Sequence, residues 1–561
     1  MRLPVFTSLQ GYDRRWARGD LVAGLTVWAV LVPEALAYAT IAGVSPVVGL
    51  YAAPGALLLY AAFGSSRHLV TGPMAATAAL SAAAVADLSP AGANEFAALT
   101  VTLALTVGIL ALAAGLARLG FLANFISEPV LKGFIVGLAL TIIVGQVPKL
   151  LGVEKEGDDF FEQLWRLLGN LGGTSGLTLL VGLLSLALVV VLKERAPVVP
   201  GSLVAVLLGI LAVDLFDLDQ HGVSIVGNID SGLPSLGLPD VGWRDYLDLA
   251  PASVGVMLVG FAEGLGAAKT YATRNHYEID ANRELLGLGA ANVAAGLSSG
   301  MVVNGSLSKT AVNGSAGARS QASGLVVAIL TVITLLFLTG LFENLPEATL
   351  AAVVIAALIE LVDIRSLREL YRVRTDVLGK VAARPDFVAA LAALFGVLVF
   401  DTLPGLFIGI GVSLLLLLYR SSRPHVAVLG RSPGHDGQWT DLQRHPRNEQ
   451  IPEVVVLRPE SGLYFANAEW VRQHVLAHVE GSRAIVLDAE SMPFVDVSAV
   501  RMLAQLGEDL EARGVRLLVA RDLGQVRDVV RRAAEGATVR LYPTVDDALA
   551  DARKPDGDGR G

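Results

Sequence analysis

Two short polar segments interrupt apolar, membrane-like sequence in the two halves of this chain, and their residue types suit the binding of a charged ligand. The first is TGPMAA at 71–76 and the second is NGSLSK at 304–309. Both contain residues that favour the start of a helix. A helix N-terminus carries free N–H groups and a charge of roughly +0.5. Two such ends facing each other within a membrane would form an anion site.

The caps of these two helices follow from the residue types. In the first segment we expect Thr71 or Gly72 to cap the helix and Pro73 to occupy its first turn, where a missing N–H costs nothing. In the second segment a side-chain oxygen can accept a hydrogen bond from the free N–H groups. The candidates for that cap are Asn304, Ser306 and Ser308.

Three charged residues accompany these segments. Glu34 and Glu263 each lie in an apolar stretch at a similar distance before one of the interruptions, and Lys309 falls in the first turn of the second helix. A charge at membrane depth costs about 3 kcal/mol on insertion scales and indicates a functional position. Lys309 would add positive potential to the site or pair with a carboxylate. Because burial raises the pKa of a carboxyl group and a nearby cation lowers it, either glutamate can carry a proton with the anion.

Each of these features also has a purely structural interpretation. Glycine and proline are common in membrane helices, a lysine can extend to the membrane interface, and a buried glutamate can hold helices together through hydrogen bonds. The matched positions of the two interruptions favour a binding site over these alternatives.

The composition is that of a polytopic membrane protein. Of the 561 residues, 53% are hydrophobic and 17% are charged, with a mean hydropathy of +0.58, whereas a soluble domain carries about 25% charged residues. The absence of cysteine excludes disulfides, thiol catalysis and cysteine-ligated zinc. The eight histidines show no metal-ligand spacing, and no nucleophile–base pair stands out. We therefore expect no enzymatic activity, no cofactor or metal, and no nucleic-acid partner.

Apolar runs approaching the roughly 20 residues that cross a bilayer recur up to residue 419. We predict fourteen spans, of which the third and tenth contain or follow the two interruptions and are too short to cross alone. The predicted spans are 20–38, 47–63, 73–86, 96–116, 125–147, 176–192, 200–216, 251–267, 285–301, 306–317, 325–341, 347–361, 387–401 and 404–419.

Charge placement orients these spans. An even number of spans leaves both termini on one side, and basic residues near span ends gather on the cytoplasmic side. Arginine and lysine cluster in one set of loops, most densely between residues 365 and 384, whereas the longest opposite loop, 214–248, is acidic. We therefore expect a multi-pass protein of the cell membrane with both termini in the cytoplasm.

Beyond the last span the sequence is typical of a soluble domain. Residues 421–450 are polar with several prolines and glycines, which predicts a linker, and strands then alternate with helices, which predicts a mostly parallel sheet. The expected strands are 454–457, 484–487 and 515–520, and the expected helices 465–480, 498–513, 525–533 and 545–552. The predicted boundaries are a cytoplasmic N-terminus at 1–19, a transmembrane domain at 20–420, the linker at 421–450, an α/β domain at 451–553 and a disordered tail at 554–561.

The segments around these residues resemble the sulfate permease (SulP) branch of the anion transporters, solute carrier family 26. The matching motifs are VPEALAYA at 32–39, GLY at 49–51 with Pro54 and Tyr60, GSSRHL at 64–69 with Gly72 and Pro73, DANREL at 280–285 with Gly289 and Asn292, and GSLSKT at 305–310. The C-terminal domain resembles a STAS domain through FANAE at 465–469, LD at 487–488 and DVSA at 496–499. The resemblance covers nearly the whole chain in order.

The resemblance implies a fold and a site. The fold has fourteen transmembrane segments in two inverted repeats of seven, with a core domain that moves against a gate domain, and the chain forms a homodimer. The anion lies between the two half-helix ends, facing the first span. The implied contacts are Pro73, Met74, Ala75 and Ala76 on one side, Leu307, Ser308 and Lys309 on the other, and Glu34 and Tyr38 on the first span.

Two residues depart from the family pattern. Many members have glutamine at the position of Glu34, and most have arginine at that of Lys309. Lysine keeps the charge but loses the bidentate geometry of arginine, whereas a carboxylate at position 34 favours proton coupling over plain exchange. Sodium-coupled members tend to carry an aspartate with a hydroxyl residue one turn later. Here Glu263 is followed one turn later by Ala267, so sodium is a less expected co-ion.

The STAS resemblance indicates one regulatory residue. In related anti-sigma-factor antagonists a serine at the start of the helix after the motif aspartate is phosphorylated, and Ser498 with Asp496 corresponds to that place. The alternative is that these two residues merely cap the helix. Regulation and docking of a cytoplasmic partner on the STAS domain are both open.

These features predict a secondary active transporter of a small anion, with proton-coupled sulfate uptake as the leading hypothesis and Glu263 and Glu34 as the coupling residues. Transport or exchange of a dicarboxylate, bicarbonate or chloride by the same fold is an open alternative. A hypothesis of another class is a membrane anion sensor that signals through the STAS domain. A nucleobase transporter of the same architecture is disfavoured by Lys309 and the STAS domain.

Overall fold

The computed structural model describes residues 5–554 except 158, 197–198, 230, 373–383, 435–436, 522–523, 525–527 and 529–539. The described part of the chain divides into two compact units. The first holds the described residues up to Ser413, and the second holds those from Leu414 onward.

The first unit is built almost entirely from apolar helices. In chain order the helices are α1 (Ala17–Ile41), α2 (Pro46–Phe63), α3 (Ala75–Ala86), α4 (Ala93–Leu116), α5 (Glu128–Leu151), α6 (Phe160–Gly169), α7 (Gly176–Arg195), α8 (Gly201–Phe216), α9 (Trp243–Arg274), α10 (Ala281–Leu297), α11 (Leu307–Ser315), α12 (Ala322–Phe337), α13 (Glu347–Ile359), α14 (Ile364–Arg372), α15 (Pro385–Phe400) and α16 (Thr402–Ser421), the last of which continues into the second unit.

Fourteen of these helices coincide in order and position with the fourteen predicted spans, while α6 and α14 are short helices that were not predicted. Seven helices among the described residues are long and apolar enough to cross a membrane by length and composition, and four shorter apolar helices accompany them. Helices α3 and α11 have 12 and 9 residues. Both are well short of the roughly 20 residues that a crossing needs, as predicted.

The helices pack in two groups, and each group combines helices from both halves of the chain. Helices α1–α4 pack mainly with α9–α12, whereas α5, α7, α13 and α15 pack mainly with one another. Small residues allow close approach between helices. A Cβ on Gly108 of α4, for example, would lie 2.6 Å from the backbone nitrogen of Val293 on α10. This arrangement agrees with two interleaved repeats that form a core group and a gate group.

Two short strands join the halves of the chain inside the first unit. Strand β1 (Val70–Gly72) pairs antiparallel with β2 (Asn304–Ser306), with Thr71 opposite Gly305. Both strands are buried, and they lead into α3 and α11 respectively. Because the strands run antiparallel, the ends that lead into α3 and α11 lie at opposite ends of a ladder only three residue pairs long. The pairing therefore holds the two helix starts close together.

The second unit contains a six-stranded sheet in the order β4-β3-β5-β6-β7-β8. The strands are β3 (Val426–Arg431), β4 (Trp439–Asp441), β5 (Val454–Pro459), β6 (Ala484–Asp488), β7 (Arg516–Ala520) and β8 (Arg540–Tyr542), with helices α17 (Ala468–Leu476), α18 (Val497–Glu511) and α19 (Val545–Ala552). Strands β5 to β8 run parallel and β3 is antiparallel to β5. The mostly parallel α/β domain therefore has the predicted architecture.

Part of the stretch predicted as a linker belongs to this sheet. Strands β3 and β4 lie within residues 421–450 and form an antiparallel pair at the edge of the domain. The prolines and glycines that suggested a linker stand between and beside these strands, for example Gly434 in the turn after β3. Apart from Asp528, the predicted helix at 525–533 lies outside the described residues, as does nearly all of the predicted tail.

Candidate functional site

The start of α3 is formed by backbone alone. Met74 is the N-cap residue, with extended backbone (φ −140°, ψ 150°) and no side-chain hydrogen bond, and Ala78 donates the first helical hydrogen bond to its carbonyl at 2.9 Å. The N–H groups before Ala78 have no partner within the helix. The prediction that Thr71 or Gly72 caps the helix was wrong, because both residues are paired in β1 and Pro73 precedes the helix.

The start of α11 is capped by a side chain. Ser306 is the N-cap residue, and its Oγ accepts a hydrogen bond from the Lys309 N–H at 3.2 Å, so one of the three predicted caps is confirmed. Leu307 and Ser308, the first two residues of the helix, have exposed side chains. The first turn of α11 is therefore accessible on the side where these two side chains lie.

Lys309 connects both helix starts to the first span. Its side chain is only 1% exposed, and its Nζ lies 2.6 Å from Oε2 of Glu34 on α1. The same ammonium donates a hydrogen bond to the carbonyl of Pro73 at 3.3 Å and lies 5.1 Å from the ring centroid of Tyr38. The predicted pairing of Lys309 with a carboxylate is therefore present, and the carboxylate is that of Glu34.

A buried ion pair of this kind is sensitive to the loss of either partner. Removing one member leaves an uncompensated charge, which costs about 3–5 kcal/mol in protein interiors. Glu34 and Lys309 are both buried, so an anion that approaches Lys309 must share the ammonium with the Glu34 carboxylate. If the anion approaches while Glu34 is ionised, two negative charges about 4 Å apart repel each other by roughly 4 kcal/mol at an effective dielectric constant of 20.

Glu263 lies on α9 and contacts β2. Its Oε2 accepts a hydrogen bond from Nδ2 of Asn304 at 3.1 Å, and Oδ1 of Asn304 accepts from the Gly305 N–H at 2.6 Å. Among the described residues Glu263 has no cation within ion-pair distance. The two glutamates therefore differ: Glu34 touches the ammonium itself, whereas Glu263 reaches the start of α11 through Asn304.

Glycine is required where β2 passes α9. A Cβ on Gly305 would lie 2.8 Å from Cδ2 of Leu69 and 2.9 Å from the Cα of Gly264. Since one of these contacts is with backbone, the strand itself would have to move.

We expect Gly305→Ala to lower the stability of the protein by about 1–3 kcal/mol, the usual cost of overpacking, and to displace the start of α11. The thermal unfolding temperature of the purified protein measures the loss. Gly266→Ala is the matched control, because nothing lies within 4 Å of the position of its Cβ. An equal loss in the two variants would contradict the close approach at Gly305.

Three buried polar side chains support the site and were not predicted as parts of it. Asn292 donates Nδ2–H to the carbonyl of Val303 and accepts from the Val303 N–H, both at 2.9 Å, just before β2. Gln321 donates to the carbonyl of Leu69, next to β1. Glu284 accepts from the hydroxyl of Tyr60 at 2.7 Å. A polar residue within an apolar span is the signal that would have found Asn292, whereas Glu284 and Gln321 lie just before the predicted spans.

Some of the predicted site residues lie together around the Lys309 ammonium, and others lie elsewhere. Glu34, Tyr38, Pro73 and Lys309 come together around one ammonium group. The other predicted contacts are the buried Ala75 and Ala76 and the half-buried Met74 at the start of α3, and the exposed Leu307 and Ser308 at the start of α11. Ser498 lies in the second unit, exposed in the first turn of α18.

Family models match both units. A model described as "Sulfate permease family" matches residues 18–379, and one described as "STAS domain" matches residues 445–548. A probable sulfate transporter of Mycobacterium tuberculosis, Rv1739c, is 38% identical over 535 residues, which cover 95% of this chain and 94% of the relative. High affinity sulfate transporter 2 of Stylosanthes hamata is 30% identical, with 98% and 86% covered.

Solved structures show the same fold. Murine Slc26a9, an anion transporter in the inward-facing state, superimposes with a TM-score of 0.87 at 23% identity over 98% of this chain and 94% of that chain. The transmembrane domain of the cyanobacterial bicarbonate transporter BicA gives a TM-score of 0.60 at 23% identity over 71% and 99% of the two chains.

Proposed function

The chain belongs to the sulfate permease family of membrane transporters and carries the C-terminal STAS domain, and we propose that it takes up sulfate together with protons. Relatives named as sulfate transporters align with nearly its whole length at 30–38% identity. The observation that carries the proposal is the contact of Lys309 with Glu34 beside the starts of α3 and α11.

In the proposed site two helix N-termini and one ammonium hold the anion. The helix ends supply roughly one positive charge between them and several free N–H donors, and Lys309 adds a full charge. We assign substrate contacts to both helix starts and to the first span. They are Glu34, Tyr38, Pro73, Met74, Ala75, Ala76, Leu307, Ser308 and Lys309.

The coupling proton, in this proposal, resides on Glu34. An ionised Glu34 neutralises Lys309 and repels the incoming sulfate, whereas a protonated Glu34 leaves the ammonium to the anion. Sulfate and proton therefore favour each other's binding, which is the requirement for symport. Glu263 is the second candidate for a proton, because its carboxylate lies one hydrogen bond away from Asn304 in β2.

Sulfate uptake into proteoliposomes tests this function. With a lower pH outside than inside, labelled sulfate should accumulate above its equilibrium level, and a protonophore should abolish the accumulation. Protein-free liposomes are the control. Equal uptake with and without the pH step would reject proton coupling, and failure of unlabelled sulfate to compete with the label would reject sulfate as the substrate.

We further propose that the protein is a homodimer of the cell membrane with both termini in the cytoplasm. The even number of spans and the basic residues near one set of span ends support this orientation. Protease accessibility of terminal tags on intact cells tests the orientation, and light scattering of the purified protein tests the dimer. A tag cleaved from outside, or a monomeric mass, would contradict the respective statement.

Ser498 is proposed as a regulatory phosphorylation site of the STAS domain. Asp496 caps α18, its Oδ1 accepting from the Ala499 N–H at 2.8 Å, which leaves the exposed Ser498 hydroxyl without a capping task. Beside this start the side chains of Phe465 and Phe494 are 74% and 51% exposed, a surface suited to a cytoplasmic partner. If phosphate at this position regulates transport, Ser498→Asp and Ser498→Ala should differ in sulfate uptake; equal rates would reject the role.

A further inference from the structure

Helix α14 carries a charged face that the anion site does not explain. It lies in the connection between the apolar helices α13 and α15. Its sequence, IRSLRELYR, places the apolar residues on one side and three arginines on the other. The apolar residues are Ile364, Leu367, Leu370 and Tyr371, and the arginines are Arg365, Arg368 and Arg372. The helix is therefore basic and amphipathic.

Contact with the rest of the first unit uses only part of the apolar side. Leu367 packs against a cluster that contains Val136 of α5 and Leu394 of α15. Ile364 and Tyr371, which border the arginine face, are 61% and 47% exposed. The exposed surface of α14 thus combines an apolar edge with a basic stripe.

The arginine stripe outnumbers the one acidic residue on the same helix, the exposed Glu369. Arg365, Arg368 and Arg372 form no ion pair in the part of the chain that the structure describes, and all three are exposed. The two acids that precede α14 are engaged elsewhere. Two hydrogen bonds from Ser366 hold the pKa of Asp363 below its usual range, and Glu360 pairs with Lys193 at 2.5 Å.

We propose that α14 binds the surface of an anionic bilayer, with Ile364 and Tyr371 among the lipid headgroups and the three arginines at the level of the phosphates. Helices α13 and α15 coincide with two predicted spans, so a helix that connects them is expected at the membrane surface, where basic amphipathic helices bind anionic lipid. Arginine pairs with phosphate through two parallel hydrogen bonds. Arg384, just before α15, stacks 3.7 Å from the Tyr371 ring centroid and so ties this edge to the start of α15. This inference is independent of the transported anion.

Lipid retention tests the proposal on the full-length protein. The purified chain is equilibrated with equal amounts of phosphatidylglycerol and phosphatidylcholine, and native mass spectrometry counts the lipids that stay bound. We expect a preference for phosphatidylglycerol in the parent protein. Each basic side chain near an anionic surface adds roughly fivefold, so the triple variant Arg365→Gln/Arg368→Gln/Arg372→Gln should lose up to about a hundredfold of that preference.

Two further variants distinguish an effect of the positive charges on α14 from an effect of the net charge of the protein. The lysine triple at the same three positions should keep most of the preference. A matched glutamine triple at exposed arginines of the second unit should keep all of it; these are Arg444, Arg447 and Arg513. Unfolding temperatures equal to that of the parent exclude misfolding as the cause of a loss.

Four results would overturn the proposal. The parent protein could show no preference for phosphatidylglycerol, the α14 glutamine triple could keep the preference, or the second-unit triple could lose it equally. Displacement of the lipid by soluble glycerol 3-phosphate would also overturn it, because the arginines would then form a site for a free phosphate rather than for a bilayer.

Discussion

Replacing Lys309 with glutamine is expected to weaken sulfate binding by roughly thirtyfold or more, since truncating one partner of a buried charge pair costs roughly 2–5 kcal/mol. The ammonium lies 2.6 Å from Glu34 and donates to Pro73 at 3.3 Å. Without it, a sulfate would meet the Glu34 carboxylate with only the partial charges of two helix ends in compensation. Isothermal titration calorimetry on the purified protein measures the affinity.

Two substitutions control this experiment. Lys309→Arg keeps the charge and should retain binding within about tenfold, because only the geometry of the donors changes. Lys269→Gln removes a charge from an exposed position of α9 and should leave the affinity unchanged. Full-strength binding by Lys309→Gln would remove Lys309 from the site.

Replacing Glu34 with glutamine should abolish proton-driven accumulation of sulfate while sulfate exchange continues. The amide is close in shape to a protonated carboxyl group, but it can neither take up nor release a proton. Lys309 then loses its counter-charge permanently and is open to the anion at every pH. Proteoliposome uptake with a pH step measures accumulation, and loss of preloaded label to external sulfate measures exchange.

The same pair of assays on Glu263→Gln identifies the proton carrier. We expect this variant to bind sulfate and to keep most of the accumulation, because Glu263 reaches the site only through Asn304. Loss of accumulation in Glu263→Gln together with full accumulation in Glu34→Gln would assign the proton to Glu263 instead. Full accumulation in both variants would mean that neither carboxyl group carries it.

The thermal stability of Glu34→Gln should reflect the same competition between Glu34 and sulfate for Lys309. In Glu34→Gln the buried ammonium lacks a neutralising charge, so the variant should unfold at a lower temperature than the parent in the absence of sulfate. Saturating sulfate should raise its unfolding temperature by more than that of the parent, because the anion now supplies the missing charge.

The spans and the charged residues were predictable because their signals are local. Runs of apolar residues located fourteen helices, and a lysine or glutamate in such a run is costly enough to be informative wherever it stands. Ser306 could be identified as a candidate cap from its residue type, and it caps α11. The α/β domain followed from alternating strands and helices in the same way.

The pairing of elements distant in sequence was not predictable. Strands β1 and β2 have three residues each, which is too few for any periodicity, and their partners lie in opposite halves of the chain. Residue type alone favours Thr71 or Gly72 as the cap and Pro73 as the start of α3, whereas the strand pairing moves the start to Ala75. The contact of Glu34 with Lys309 likewise joins the first span to the tenth, and no local pattern encodes it.

The competition between Glu34 and sulfate for Lys309 is tested most directly by the number of protons taken up when sulfate binds to the purified protein. Mixing sulfate with the parent protein in weakly buffered solution near neutral pH should make the solution more alkaline, because anion binding draws a proton onto Glu34. Glu34→Gln should bind sulfate without a change in pH. Equal proton uptake by the two proteins, or none by the parent, would contradict the competition between Glu34 and sulfate for Lys309.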